Sequence, residues 1–407
     1  MGSHVDLPDG RSPNLAIVHP TEEEKLIQFK LNGAEWRGAL SLEAYLRREE
    51  VLASQSLTKD GGITYWILVD TTMKENPYDP DTSARLPLAS CETYRKKALV
   101  WKDGQIYETI THGIGSVFCA SHLRKRGYAQ RLMHEVGKAL ETYQTTKETK
   151  CFFSVLFSDI GKKFYAEHGW EPFNSAHVSV PGHVSKTMVT SSLPTAQPLY
   201  EEDLEELCKI DEALIRNSLN SRPKSANTAV AQLPDIETIR WHHAREDFVG
   251  KQVHGKAPKI KGAIVGTEKG KRVWCYWTRM WYNQNPEESK DNTLHILRLV
   301  IEDQGNSSWE GTGPDHLNAI SVGHQHAADI AALLLMAQRE ADEWRMDEVE
   351  LWNPSSTAVA AAWMLDPEAK VVNRDTESIA CLRWYPEHEG NVAETIDWVG
   401  NEKYGWN

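Results

Sequence analysis

The chain has six cysteines but no Cys-x-x-Cys pair, so it lacks the spacing of a disulfide frame or a structural zinc site. It has no His-Glu-x-x-His run, and His242-His243 and His324-Gln325-His326 stand without cysteine partners, so no metal is expected. No apolar run reaches the roughly 18–20 residues that cross a bilayer, and the polar start has no signal-peptide core. A cytoplasmic chain with reduced thiols and no membrane contact follows. Basic residues are in deficit, 45 Lys and Arg against 58 Asp and Glu. That balance opposes nucleic-acid binding, which needs a basic face.

What is present fits a soluble, monomeric globular protein of two domains: 407 residues, 40% hydrophobic and 25% charged. The charge is uneven. Residues 1–200 carry 23 acidic and 23 basic side chains, so the whole net charge of −13 falls in 201–407. Such a chain suits an anionic ligand on its neutral half and a cationic one near its acidic half.

The most informative stretch runs from Ser116 to Gln130. An apolar β-type run through Val117, Phe118 and Cys119 ends in a loop carrying Arg124, Lys125 and Arg126. Gly127 then opens a helical pattern from Ala129 to Thr142. The first turn of a helix has unpaired N–H groups and partial positive charge, so it stabilises a phosphate. A glycine there lets backbone and ligand approach closely.

Arg124-x-x-Gly127-x-Ala129 resembles the R/Q-x-x-G-x-G/A signature of the GNAT acyltransferases. A second element is similar too: a buried strand at Cys151–Phe157, then Ser158 to Trp170 with Phe164-Tyr165 and Gly169-Trp170. Ser158 stands where that superfamily usually has Asn, and Gly161 where it has Ala. The resemblance implies acetyl-CoA as co-substrate, held by Val117, Phe118, Cys119, Arg124 to Gln130 (with Tyr128 inside that run) and Ser158.

Along the chain, helical patterns at 15–55 are divided at Asn32-Gly33. Strands follow at Thr64–Val69, Leu86–Tyr94 and 113–119, with a turn at Asp103-Gly104. Val180–Pro198, rich in Ser, Thr and Pro, reads as the connection. Beyond it the pattern restarts: a helix at Ala327–Trp344, a strand at Glu348–Trp352 and a helix at Ser355–Leu365. This repeats the order of the first half and implies a duplication. The stretch Asn318 to Gln325 stands where the second copy would need its basic loop. The expected fold is therefore α/β (α+β), with tandem GNAT-type mixed, largely antiparallel sheets flanked by helices and a degenerate second copy. The expected divisions are a flexible lead-in at 1–14, a catalytic domain at 15–190 and a GNAT-like domain at 191–407 that shapes the substrate pocket.

That arrangement resembles the fungal lysine N-acetyltransferases, which implies acetyl transfer to the side-chain amine of free lysine in lysine degradation. A different acyltransferase and a non-catalytic CoA-binding scaffold are the alternatives. An amine attacks only when neutral, so a base is needed. Glu92 and His112, in or beside the strands facing the acyl group, are candidates. Tyr165 is the candidate proton donor to the departing thiolate. Glu35, Trp36 and Arg37 lie in the early helical region that forms a substrate wall in this superfamily, and Arg37 suits a carboxylate. The aromatics Trp274, Tyr276, Trp277, Trp281 and Tyr282 read mainly as strand core. In N-myristoyltransferases, also tandem folds of this type, the terminal carboxylate enters the site as base, which makes Lys403 to Asn407 a further candidate.

Overall fold

The computed structural model describes residues 6–73, 76–184, 192–304 and 325–407. The first half runs β1 (Leu15–Val18), α1 (Glu22–Trp36), α2 (Leu42–Ala53), β2 (Ile63–Asp70), β3 (Ala89–Lys102), β4 (Gln105–Phe118), α3 (Tyr128–Leu140), β5 (Cys151–Ser158), α4 (Lys163–Ala166), β6 (Glu171–Pro172) and β7 (Ala176–Pro181). The second half begins with β8 (Gln197–Leu199), α5 (Glu201–Ser221), β9 (Thr228–Gln232), α6 (Ile236–His254), β10 (Gly262–Val265), β11 (Val273–Met280) and β12 (Thr293–Ile301). It ends with α7 (Ala327–Glu343), β13 (Glu348–Trp352), α8 (Ser356–Leu365), β14 (Val371–Asn373), β15 (Ile379–Trp384), α9 (Val392–Thr395) and β16 (Ile396–Val399).

Two mixed, largely antiparallel sheets result, in the order β1-β2-β3-β4-β5-β15-β6 and β14-β7-β13-β12-β11-β10-β8, with β9 bridging β3 and β16. The halves exchange strands. β15 pairs antiparallel with β5, and β7 pairs antiparallel with β13. The β4/β5 pair of the first sheet and the β12/β13 pair of the second are both parallel, each beside an antiparallel hairpin. The repeat inferred from the helix and strand order is therefore present in the sheets.

Local chemistry explains most elements. Thr21 and Glu24 form a capping box at α1, and Glu24 is buried against Arg85, whose Nε lies 2.6 Å from its carboxylate. Asp103 and Gly104, both with positive φ, make the tight turn between β3 and β4. On α3, Leu132, Met133, Val136 and Leu140 repeat at helical spacing and are fully buried under β2 and β3, each contributing about 1.5–3 kcal/mol of apolar burial.

Two expectations are corrected. α1 runs unbroken through Asn32 and Gly33, because both are buried in the seam with α2. A Cβ on Gly33 would stand 2.9 Å from Leu42 and 3.0 Å from Tyr45. The break falls instead at residues 37–41. The helix expected after Ser158 is the single turn α4: Gly161 takes φ +78°, outside the helical region, and its N–H donates to Thr376 rather than back along a helix.

Candidate active site

The loop between β4 and α3 has the backbone form of an anion cradle. Lys125 (φ +66°) and Gly127 (φ +84°) are left-handed on either side of Arg126, and Gly127 caps α3 with no side chain over its first-turn N–H groups. Alternation of this kind turns successive N–H groups toward one point, where the helix dipole adds positive charge. Arg124 and Lys125 are exposed, and Arg124 Nε donates to the Cys119 carbonyl at 3.0 Å while its guanidinium lies 6.0 Å from the Phe118 ring centroid. The residues before β1, expected as a flexible lead-in, brace the other side. Gly10 N donates to the Arg126 carbonyl at 2.6 Å, Arg126 donates to the Leu7 carbonyl at 3.3 Å, and the Tyr128 hydroxyl donates to the Pro8 carbonyl. Alanine at position 10 would put its Cβ 2.4 Å from the Gly127 carbonyl oxygen, so the two glycines meet face to face.

Beside the loop the sheet opens. The parallel β4/β5 ladder ends at Ile114↔Leu156, although β4 continues to Phe118 and β5 to Ser158. On its other edge β4 bulges between Gly115 and Phe118, where Ser116 has φ +51°, before Ser90 pairs with Phe118. The edge of residues 115–118 that faces β5 thus has no partner in the β5 ladder. Such unpaired backbone groups suit an extended ligand or a developing oxyanion.

Glu92 lies across from Gly115 on β3, on the same face as Tyr94, which packs with Leu52 of α2 and Trp241 of α6, whereas Cys91 on the other face packs with α3. It is 2% exposed and accepts a hydrogen bond from Tyr94 Oη at 3.0 Å. Burial pushes its carboxyl up to about 7 and the neighbouring Glu49 charge adds to this, while hydrogen bonds from Tyr94 and Ser116 and the Arg48 charge pull it down. A buried carboxylate tuned to neutrality is what general-base chemistry requires. Tyr45 and Tyr65 stand close enough to Glu92 for its charge, after burial, to help raise their phenols.

The chain's last residues close this chamber. Lys96 Nζ donates to the Gly405 carbonyl at 3.0 Å, and burial lowers the lysine to about 7. Asn407 lies on Gly113 and Gly115, and its side-chain amide is sealed from solvent without a hydrogen-bond partner. A Cβ on Gly113 would lie 2.0 Å from Asn407 Nδ2. Gly113→Ala is accordingly expected to displace Asn407 and cost about 1–3 kcal/mol, measured by denaturant unfolding.

The structure separates some predicted residues from this chamber. His112 is on the opposite, α3 face, with Nε2 3.2 Å from Gln144 Oε1 and Nδ1 3.6 Å from Cys151 Sγ. Burial lowers it to about 4, so it is a neutral, partnered core histidine beyond reach of Glu92's face. Glu35 and Arg37 are exposed at the end of α1, away from any enclosed wall. Trp36 is 37% exposed and packs edge-on against Phe118, 5.9 Å between centroids, so it borders the bulged end of β4. Ser158 is buried and satisfied locally, donating to the Gly161 carbonyl at 2.6 Å and accepting from Ile160 N. Tyr165 is 8% exposed under α3, and burial holds its phenol far above neutrality, hence protonated. Sequence reasoning missed Tyr45, Glu49 and Tyr94, as well as the cation Arg245 on α6, whereas Asn407 belongs to the tail that it singled out.

Among the described residues the second copy shows no equivalent opening. Where β12 runs past the β13 ladder, which ends at Ile296↔Leu351, the chain's own 402–405 segment fills the slot. Leu299 N donates to Glu402 Oε2 at 3.1 Å, and Tyr404 is fully buried. At the start of α7, His326 lies 2.9 Å from both Asp303 and Asp329, carboxylates that oppose a phosphate. The stretch 318–324 lies outside the described residues. His242 and His243 are buried beside the Tyr404 and Trp277 carbonyls, at 3.1 and 3.0 Å. Trp274, Tyr276, Trp277 and Trp281 are core, whereas Tyr282 is 44% exposed. Among the described residues no group of His, Cys, Asp or Glu could hold a metal ion, and no helix is long and apolar enough to cross a membrane.

A protein of Yarrowia lipolytica called lysine acetyltransferase is 26% identical over 283 residues, 61% of this chain and 68% of its own length. An uncharacterized protein of Saccharomyces cerevisiae is 22% identical over 416 residues, covering 92% of this chain and 93% of its own. Among solved structures, a GCN5-related N-acetyltransferase of Kribbella flavida (14% identity, TM-score 0.47) aligns over 91% of this chain and 71% of its own. S. cerevisiae N-myristoyltransferase with bound myristoyl-CoA (10% identity, TM-score 0.49) aligns over 97% of this chain and 88% of its own. Residues 177–407, more than half of the chain, match the family described as the LYC1 GNAT-like C-terminal domain, and the chain belongs to that family within the GNAT superfamily of N-acetyltransferases.

Proposed function

We propose that the protein transfers the acetyl group of acetyl-CoA to the side-chain amine of free L-lysine in a ternary complex, as a step in breakdown of that amino acid. The observation that carries the reading is a buried carboxylate tuned to neutrality, one strand away from a sheet opening that starts at an anion cradle. The name of the Y. lipolytica relative supports lysine as the acceptor.

The residues present fit the donor. The N–H groups of residues 127–130, with Arg124, Lys125 and Arg126, would hold the pyrophosphate, and the unpaired edge of β4 would hold the extended arm. Lysine's amine, with a solution pKa of about 10.4, arrives protonated. Glu92 accepts that proton, directly or through water. The neutral nitrogen then bonds to the thioester carbonyl carbon to form the tetrahedral adduct, and as the carbon–sulfur bond breaks the nitrogen releases its second proton to solvent. Backbone N–H groups of Val117, Phe118 and Cys119 stabilise the oxyanion, and Tyr165 protonates the leaving sulfur, recovering its proton from solvent. Tyr165→Phe is therefore expected to lower kcat about 100-fold with the KM for acetyl-CoA little changed, in a steady-state assay.

The test is thiol release from acetyl-CoA with purified protein and a panel of free amino acids, polyamines and peptides. Lysine is expected to be the fastest acceptor. Lysine turnover no faster than background hydrolysis contradicts the assignment, and donor binding without turnover of any amine would mark a CoA-binding scaffold.

A further inference from the structure

The chamber around Glu92 contains two arginines in very different states. Arg48 on α2 is fully engaged: Nε and Nη2 donate to Glu49 at 2.9 and 2.6 Å, and Nη1 donates to the Trp36 carbonyl at 3.4 Å. Arg245 on α6, the helix packed against α2, has only a ring for company. Its guanidinium stands 5.6 Å from the Trp406 ring centroid, and among the described residues it makes no ion pair and donates no hydrogen bond.

Arg245 is nevertheless enclosed. Burial, followed by the Arg48 charge, lowers it to about 10, which leaves it fully charged at neutral pH. The residue is half-buried and its nitrogens are not among the polar atoms sealed from solvent, so they remain accessible to a ligand. Tyr282, whose phenol interacts electrostatically with Arg245, retains 44% of its surface while burial raises its phenol. Trp241, one turn before Arg245 on α6, packs edge-on against Tyr94, 5.4 Å between centroids, and Tyr94 donates to Glu92; Trp406 beside Arg245 precedes Asn407, which lies on Gly115 across from Glu92, so the acid and the cation face one region. A desolvated guanidinium without a carboxylate is costly unless an anion arrives. Its planar fork suits a carboxylate.

We propose that Arg245 binds the α-carboxylate of the amino-acid acceptor, with Glu49 facing its α-ammonium group, so that the side-chain amine points to Glu92. The second half of the chain then sets specificity: it admits amino acids and disfavours simple diamines. This deepens the lysine reading, on which it rests for the reaction itself. Arg245 replaces the exposed Arg37 as the carboxylate partner.

The experiment compares lysine with 1,5-diaminopentane, which has an equivalent primary amine and no carboxylate, in wild type, Arg245→Gln and Arg245→Lys. Binding of each to the protein–CoA complex is measured by calorimetry alongside turnover. Wild type is expected to prefer lysine. The ratio of kcat/KM for lysine to that for diaminopentane should fall about 100-fold in Arg245→Gln and less in Arg245→Lys, in line with loss of a charged, bidentate contact. An unchanged ratio, or wild type that uses lysine and diaminopentane equally, overturns the Arg245 assignment and leaves acetyl transfer standing. Lysine binding that depends on Arg245, with no thiol release for any amine, would overturn the transfer reading and leave the carboxylate site standing. The wild-type preference decides the question even where Arg245→Gln does not fold.

Discussion

Glu92→Gln is expected to lower kcat about 1,000-fold while leaving acetyl-CoA binding nearly unchanged, the range typical of losing a positioned general base. The amide preserves volume and keeps an acceptor for Tyr94, so the change removes the charge and little else. In wild type, kcat/KM should rise about tenfold per pH unit toward about 7, where Glu92 is half ionised, and level above it. The variant should lack that inflection. Stability should move the other way. Because burial raises the folded-state carboxyl above its unfolded value, Glu92 favours folding only while protonated, and that contribution is lost as pH rises to about 7. Above pH 7 the glutamine variant should therefore be the more stable protein, by about 3 kcal/mol at most. Lower activity with higher stability at pH 8, from one substitution, distinguishes a functional base from a structural one.

Gly127→Val should act on the other substrate. At φ +84° a β-branched residue costs about 1–2 kcal/mol of backbone strain. Its Cβ would also stand 3.4 Å from Gly10 Cα, crowding the brace beneath the cradle. Turning the α3 N–H groups away from their common point is expected to raise the KM for acetyl-CoA about 100-fold or more, with the acceptor's KM within a few-fold of wild type. An unchanged donor KM would contradict the phosphate role. Lys125, the other left-handed residue of the loop, can be replaced by glycine without strain. Lys125→Gly separates the loop's shape from its charge.

The readability of these features in the sequence followed their contiguity. The donor cradle lies within a dozen consecutive residues, so charge, glycine position and helical period all bear on one segment. Glu92 was visible as an acid in an apolar strand. Most of its surroundings were not: Tyr45 and Glu49 come from α2 and Arg245 from α6, and only the tertiary fold joins them to Glu92 and to the tail at Asn407. In sequence Arg245 is one charge among many on an amphipathic helix. Its lack of a partner is the informative property, and that is visible only in three dimensions. Arg37 is a candidate because it lies in the early helical region and its guanidinium suits a carboxylate, but α1 stops at Trp36 and the Arg37 side chain is exposed. His112 and Glu92 sit on neighbouring strands, and the two-residue period alone does not say that they occupy opposite faces. The strand exchange was hidden for a related reason. The pairing of Ile379–Trp384 with β5 is a long-range choice that no local pattern fixes.

The account rests on one event at Glu92, the movement of acetyl from sulfur to a lysine nitrogen. The most direct measurement mixes the protein with acetyl-CoA carrying a carbon-13 carbonyl and with free lysine, and follows the label by nuclear magnetic resonance. The account predicts stoichiometric appearance of label on the side-chain nitrogen of lysine, none on the α-nitrogen, and none in either position with Glu92→Gln over the same interval. Label released as acetate at the rate of the protein-free control, or carried to the α-nitrogen, would contradict it.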